Sequence, residues 1–91
     1  MQLLSSDEIQ QKLKETKGWE RDGAALKKEW KFENFAEALK FINKVGAVAE
    51  KQDHHPEIFN VYNRVTLRYY THDASGITTR DFRAVSEIDK L

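Results

Sequence analysis

Three histidines, His54, His55 and His72, are the side chains of this sequence best suited to chemistry, and each falls where one structural element ends. Imidazole titrates near neutrality, so histidines that converge can both give and take protons at cellular pH. The same spacing also suits solvated side chains at loop starts, with His54 pairing one helical turn back to Glu50. A metal site is poorly served. Neighbouring helical residues point about 100° apart, so His54 and His55 are badly placed to grip one ion together. The usual two-histidine zinc pattern needs a spacing of four, and the position four before His54 is Glu50. Glu50, His54 and His72 are the one metal set this spacing leaves open, and no metal is expected. The chain has no cysteine, which removes thiolate zinc, iron–sulfur clusters, disulfides and cysteine nucleophiles together. No serine lies in a nucleophile-elbow pattern.

The elements that must position these histidines are legible in outline. Ser5 with Glu8 three residues on is a capping-box pattern, with Leu3 or Leu4 placed as a staple and Ile9 and Leu13 on one helical face. Trp19 to Arg21, Asp22-Gly23 and Ala24 to Phe32 read as a hairpin about a tight turn. Within it Leu26, Trp30 and Phe32 alternate with Lys27, Glu29 and Lys31, with Lys28 as the exception. Asn34 caps a long helix whose stripe is Phe35, Ala38, Leu39, Ile42, Val45 and Ala49, and Pro56 ends it. Phe41 and Val48 lie off that stripe and suggest a second contact surface. Phe59 to Tyr62 and Val65 to Thr71 form a second hairpin about Asn63-Arg64. Asn60, Tyr62, Val65, Leu67 and Tyr69 then share one face, and Phe59, Val61, Arg68, Tyr70 and His72 the other. A last helix starts near Thr78, with Asp81 as its box partner and Phe82, Val85, Ile88 and Leu91 as its stripe. The expected fold is α+β in the order α-β-β-α-β-β-α, a four-stranded antiparallel sheet with helices packed on one face.

Composition bounds the partners. Fifteen Lys and Arg cancel fifteen Asp and Glu, so no net field draws nucleic acid or an anionic membrane. With 91 residues, 40% of them hydrophobic, residues 1–91 read as a single folded domain with one modest core. No apolar run reaches the length of a membrane span, and the first residues lack the regions of a signal peptide, so a cytoplasmic setting is expected.

The run Glu50-Lys51-Gln52-Asp53-His54-His55-Pro56-Glu57, then Phe59-Asn60-Val61-Tyr62-Asn63, then Thr71-His72, and finally Gly76-Ile77-Thr78 before Arg80-Asp81, resembles the pterin-4a-carbinolamine dehydratase family. Length and element order are similar to that family across nearly the whole chain. Asp73 departs from the pattern, standing where many members have glutamate. The resemblance implies dehydration of 4a-hydroxytetrahydropterin to quinonoid dihydropterin, in tetrahydrobiopterin regeneration, with no metal or organic cofactor. It implies that His54, His55 and His72 are catalytic. It implies substrate contacts from His54, His55, Pro56, Thr71, His72, Asp73, Ala74 and Arg80. The hydroxyl of a carbinolamine leaves more readily once protonated, while a base accepts a ring-nitrogen proton, and two histidines can divide those tasks. His72 or His54 is the expected acid, and His55 is expected to hold the ring or the departing water.

The rival reading is a binding role. Some relatives serve as dimerisation cofactors for a homeodomain transcription factor, which would add a nuclear setting. A partner of that kind needs an exposed apolar helix strip, and Phe41 with Val48 is the expected one. The strip would serve a homodimer or homotetramer equally. Direct nucleic-acid binding is not expected, since no basic stripe appears. Asp81 reads as a helix cap, and Trp19, Trp30 and Tyr62 as core aromatics. Standing at element ends, the three histidines are expected to be removable without loss of the fold.

Overall fold

Local signals start and stop the helices of the chain, which a computed structural model describes over residues 2–91. Ser5 accepts the backbone N–H of Glu8, and the Glu8 carboxylate accepts that of Ser5, so α1 (Ser6–Leu13) begins on a complete capping box. Asn34 likewise accepts from Glu37 N and starts α2 (Phe35–Gln52). Thr78 and Asp81 cap α3 (Thr79–Ile88) reciprocally. Between the helices run β1 (Glu20–Asp22), β2 (Ala25–Lys31), β3 (Glu57–Val61) and β4 (Arg64–Tyr69), and a 3₁₀ turn over His72–Ala74 precedes α3. The strands form one antiparallel sheet in the order β1-β2-β4-β3, so the expected α+β order α-β-β-α-β-β-α is the observed one.

Both hairpins turn one residue away from the expected place. Asp22 pairs with Ala25, so the first turn is Gly23-Ala24, with Gly23 supplying a φ of 60°. Val61 pairs with Arg64, so the second turn is Tyr62-Asn63, and Tyr62 rather than Asn63 takes the left-handed backbone. The Asn60 amide donates to the carbonyls of Tyr62 and Arg64 at 3.2 and 2.8 Å, which staples that unusual conformation. Each correction shifts the cross-strand pairing by two residues. Because the side-chain period is also two, the expected faces survive.

The inner face carries Leu26, Val65, Leu67 and Tyr69, all fully buried under the helices with Ala38, Val45, Val85 and Ile88. Trp19 meets Trp30 edge-on at 5.4 Å, and Trp30 meets Phe41 at 4.7 Å. Phe41 also lies 5.1 Å from Phe32. That aromatic ridge rotates α2 away from the expected stripe. Phe41 and Val48 pack against the core, while Phe35 and Leu39 are 44% and 41% exposed. The expected outer strip of Phe41 and Val48 is therefore not the exposed one. Tyr62, at a turn tip, is exposed rather than a core aromatic, and Leu91 lies exposed beyond the end of α3. No helix among the described residues is long and apolar enough to cross a membrane.

Candidate active site

The site begins with the way α2 stops. Asp53 adopts a left-handed backbone at φ 49° and ψ 44°, its N–H bonding to Glu50 O and that of His54 to Ala49 O. This is a Schellman-type close, and it ends the helix at Gln52, before Pro56 can act. The chain reverses within one residue, so His54 leaves the helical face it shares with Glu50 in the sequence pattern. Its ring turns inward. His54 is 8% exposed, packs 5.3 Å from the Tyr69 ring, and its Nε2 lies 2.6 Å from Oδ1 of Asp81.

Asp81 is fully buried, and its carboxylate holds three groups. Its Oδ2 accepts from Thr78 N at 2.8 Å and from Thr71 Oγ1 at 2.9 Å, while Thr71 and Thr78 hydroxyls meet at 2.7 Å. The cap expected of Asp81 is present, and its other oxygen holds His54. Capping residues of a box usually face solvent; here the box lies against the sheet, and that placement was invisible in the sequence. An ionised carboxylate oxygen can only accept, so Nε2 of His54 is the donor, and the neutral form of the ring would carry its lone pair on Nδ1. The Tyr69 hydroxyl is buried beside this network with no partner among the described residues, and burial with the nearby Asp81 charge pushes its pKa up to about 12.

His55 goes the opposite way. It is 53% exposed, and its Nε2 lies 2.5 Å from Oε2 of Glu50. The expected His54–Glu50 pairing is thus replaced by His55–Glu50, and the Glu50, His54, His72 metal arrangement is not formed. Among the described residues no three His, Asp or Glu side chains are grouped to hold an ion.

The third wall is the loop after β4. Thr71 and Gly76 bridge it, with Thr71 N donating to Gly76 O at 2.8 Å, and Ser75 turns it with φ 56°. A side chain at Gly76 would press on Leu3, 2.8 Å from its Cδ2, so the bridge sits tight against the amino-terminal segment. His72 and Asp73 project exposed from this loop. Arg80, in the first turn of α3, reaches back so that Nη2 donates to Asp53 O at 2.7 Å, tying α3 to the end of α2.

These pieces enclose a hollow of about 240 Å³ to which His54, His55, Thr71, His72, Asp73 and Arg80 contribute. Six of the eight expected site residues therefore come together. Pro56 and Ala74 do not line it. Asp53 and Tyr70 do, and neither was expected there. A larger hollow of about 720 Å³ lies on the open sheet face around Arg68. There Arg68 already pairs with Glu57 at 2.6 Å and Asp22 at 2.9 Å, which raises its pKa. The three histidines converge in the smaller one, and none lines the larger.

The comparisons with known proteins agree with that geometry. The family described as pterin 4 alpha carbinolamine dehydratase matches residues 2–91. A Prochlorococcus marinus protein is 43% identical over 89 residues, covering 98% of this chain and 94% of its own length. One from Sulfolobus acidocaldarius is 40% identical over 88 residues, covering 97% of each. Both carry pterin-4-alpha-carbinolamine dehydratase as a provisional name. The crystal structure of a transcriptional coactivator/pterin dehydratase from Brucella melitensis superposes with a TM-score of 0.93 at 33% identity, over 98% of this chain and 97% of that one. A pterin dehydratase-like RuBisCO assembly factor of the alpha-carboxysome, 18% identical with a TM-score of 0.69, shares the fold over 81% of this chain and 88% of its own. With the match running from Gln2 to Leu91 and through every residue that walls the hollow, the chain belongs to the pterin-4a-carbinolamine dehydratase family.

Proposed function

We propose that the histidine hollow dehydrates a 4a-hydroxytetrahydropterin to the quinonoid dihydropterin and water. The observation that carries this reading is the buried His54–Asp81 pair on the floor of a hollow edged by His55, His72 and Arg80. The carbon–oxygen bond at C4a breaks as an acid protonates the departing hydroxyl. The adjacent ring nitrogen gives its proton to a base as the carbon–nitrogen double bond forms. Held by Asp81, the neutral His54 presents Nδ1 as that base, and His72 on its exposed loop is the acid. His55, anchored by Glu50, holds the ring or the leaving water. The product is the oxidised partner of the tetrahydropterin used in aromatic amino-acid hydroxylation, so the enzyme serves cofactor regeneration.

Stopped-flow absorbance with synthetic 4a-hydroxytetrahydropterin tests the reading directly. Dehydration should accelerate in proportion to added protein, and equally in the presence of a metal chelator. No acceleration overturns the proposal. Activity lost to chelator and restored by zinc overturns its metal-free form.

A second reading concerns contacts. Ile58, Phe59, Val61 and Tyr62 are exposed large side chains on or next to β3, which is an edge strand with unpaired backbone groups. Exposed apolar edges invite strand addition, and a second copy of this chain is the occupant we infer. This surface replaces Phe41 and Val48 as the basis for a homodimer or homotetramer, and a partner protein would compete for it. Light scattering at micromolar concentration should give a multiple of the 10.6 kDa chain mass, and a monomer would contradict it.

A further inference from the structure

Tyr70 stands one residue past β4, where strand alternation turns it away from the buried Tyr69 and out of the core. It is half-buried, and it lines the histidine hollow with its ring centroid 6.5 Å from that of His72 at an interplanar angle of 55°. The other side chains around that hollow are imidazoles, carboxylates, a hydroxyl and a guanidinium. Tyr70 is therefore the one carbocyclic ring among the described residues that face it. Its hydroxyl makes no hydrogen bond among the described residues, so nothing in the fold itself requires a tyrosine there. Polar groups can orient a flat bicyclic heterocycle and move its protons. They do not supply an apolar wall to replace the water on its face.

We propose that Tyr70 is a substrate-binding residue whose ring packs against the face of the pterin bicycle, with its hydroxyl taking no part. The inference rests on the dehydratase reading of this hollow and adds a contact outside the expected set. It predicts a role in binding rather than in the chemical step.

The test measures affinity for the oxidised parent pterin through its own fluorescence, alongside steady-state dehydration, for wild type, Tyr70→Phe, Tyr70→Leu and Tyr70→Ala. Stacking of a heterocycle on an aromatic side chain implies a loss of about tenfold in affinity on removing the ring. Tyr70→Ala should therefore raise both Kd and KM about tenfold, with kcat changed less than about threefold. Tyr70→Phe should stay within about twofold of wild type, since it keeps the stacking face. Tyr70→Leu should fall between the two, and it carries the test should Tyr70→Ala lose its circular dichroism. Unchanged Kd and KM in folded Tyr70→Ala or Tyr70→Leu would overturn the inference while leaving an active wild type intact. Equal losses in Tyr70→Phe and Tyr70→Ala would overturn it by assigning the effect to the hydroxyl. A wild type that neither binds pterin nor accelerates dehydration would instead sink the dehydratase reading, and Tyr70 with it.

Discussion

His54 and His55 are neighbours in the chain and opposites in the fold. One is nearly buried against Asp81 and Tyr69, and the other is half-exposed against Glu50. The difference comes from a single backbone event, the left-handed Asp53 that reverses the chain immediately before them. Adjacent, chemically identical residues thus receive different surroundings from the surfaces they meet. A ring held by a buried carboxylate has its tautomer and orientation set before substrate arrives. A ring paired to a solvated carboxylate is held more loosely, since exposed pairs contribute little.

The sharpest way to break this contrast is to remove the buried partner. Asp81→Ala takes away a cap, removes the acceptor shared by Thr71 Oγ1 and Thr78 N, and strips His54 of its anchor. Urea unfolding should show a loss of about 3 kcal/mol or more. Asp81→Asn keeps an acceptor at the cap but cannot enforce the His54 tautomer, so it should fold and lose about a hundredfold in dehydration rate. Wild-type turnover in folded Asp81→Asn would remove His54 from the chemistry.

The histidines themselves come next. His54→Ala opens a cavity beside Tyr69 and orphans an Asp81 oxygen, so it should cost about 2 kcal/mol as well as rate. The expectation that residues at element ends carry little of the core fits His55 and His72 better than His54, which is nearly buried. His72→Ala should leave stability unchanged and lower kcat about a hundredfold. Combined with His54→Ala, it should cost less rate than the product of the two single losses, because an acid–base pair acts as a unit. His55→Ala should fold normally and act mainly on KM.

Two smaller effects sharpen the comparison at its edges. The Tyr69 phenol is held neutral up to about 12, above the ordinary value near 10. Folded protein therefore binds that proton more tightly than the unfolded chain. The stability it contributes is complete below about pH 10 and is lost as pH climbs through 12. Tyr69→Phe should shift alkaline unfolding to higher pH, and an unchanged transition would contradict the burial argument. Glu50→Gln, on the solvated side, should change stability by less than about 0.5 kcal/mol and raise KM slightly, with the difference fading in high salt.

Much of this molecule was readable from the residues in order. Ser5 with Glu8, Asn34, and Thr78 with Asp81 started helices where their side chains said they would, because caps act within one turn of the backbone. Strand faces followed from alternation, and even misplaced turns left them intact, because a slip of two residues preserves the pleat. The histidine pattern located the hollow, and six of its expected side chains meet there. Three other matters depended on contacts between distant segments. The rotation of α2 followed from an aromatic ridge on β2 that only assembly places beneath Phe41. The pairing of His54 with Asp81 joins positions 27 residues apart. Tyr70 entered the hollow because the close of α2 and the first turn of α3 converge on the end of β4. Local hydrogen bonds and side-chain periodicity are properties of a few consecutive residues, so sequence alone determined them. Which buried group each side chain meets depends on how the layers pack, and that was decided only in three dimensions.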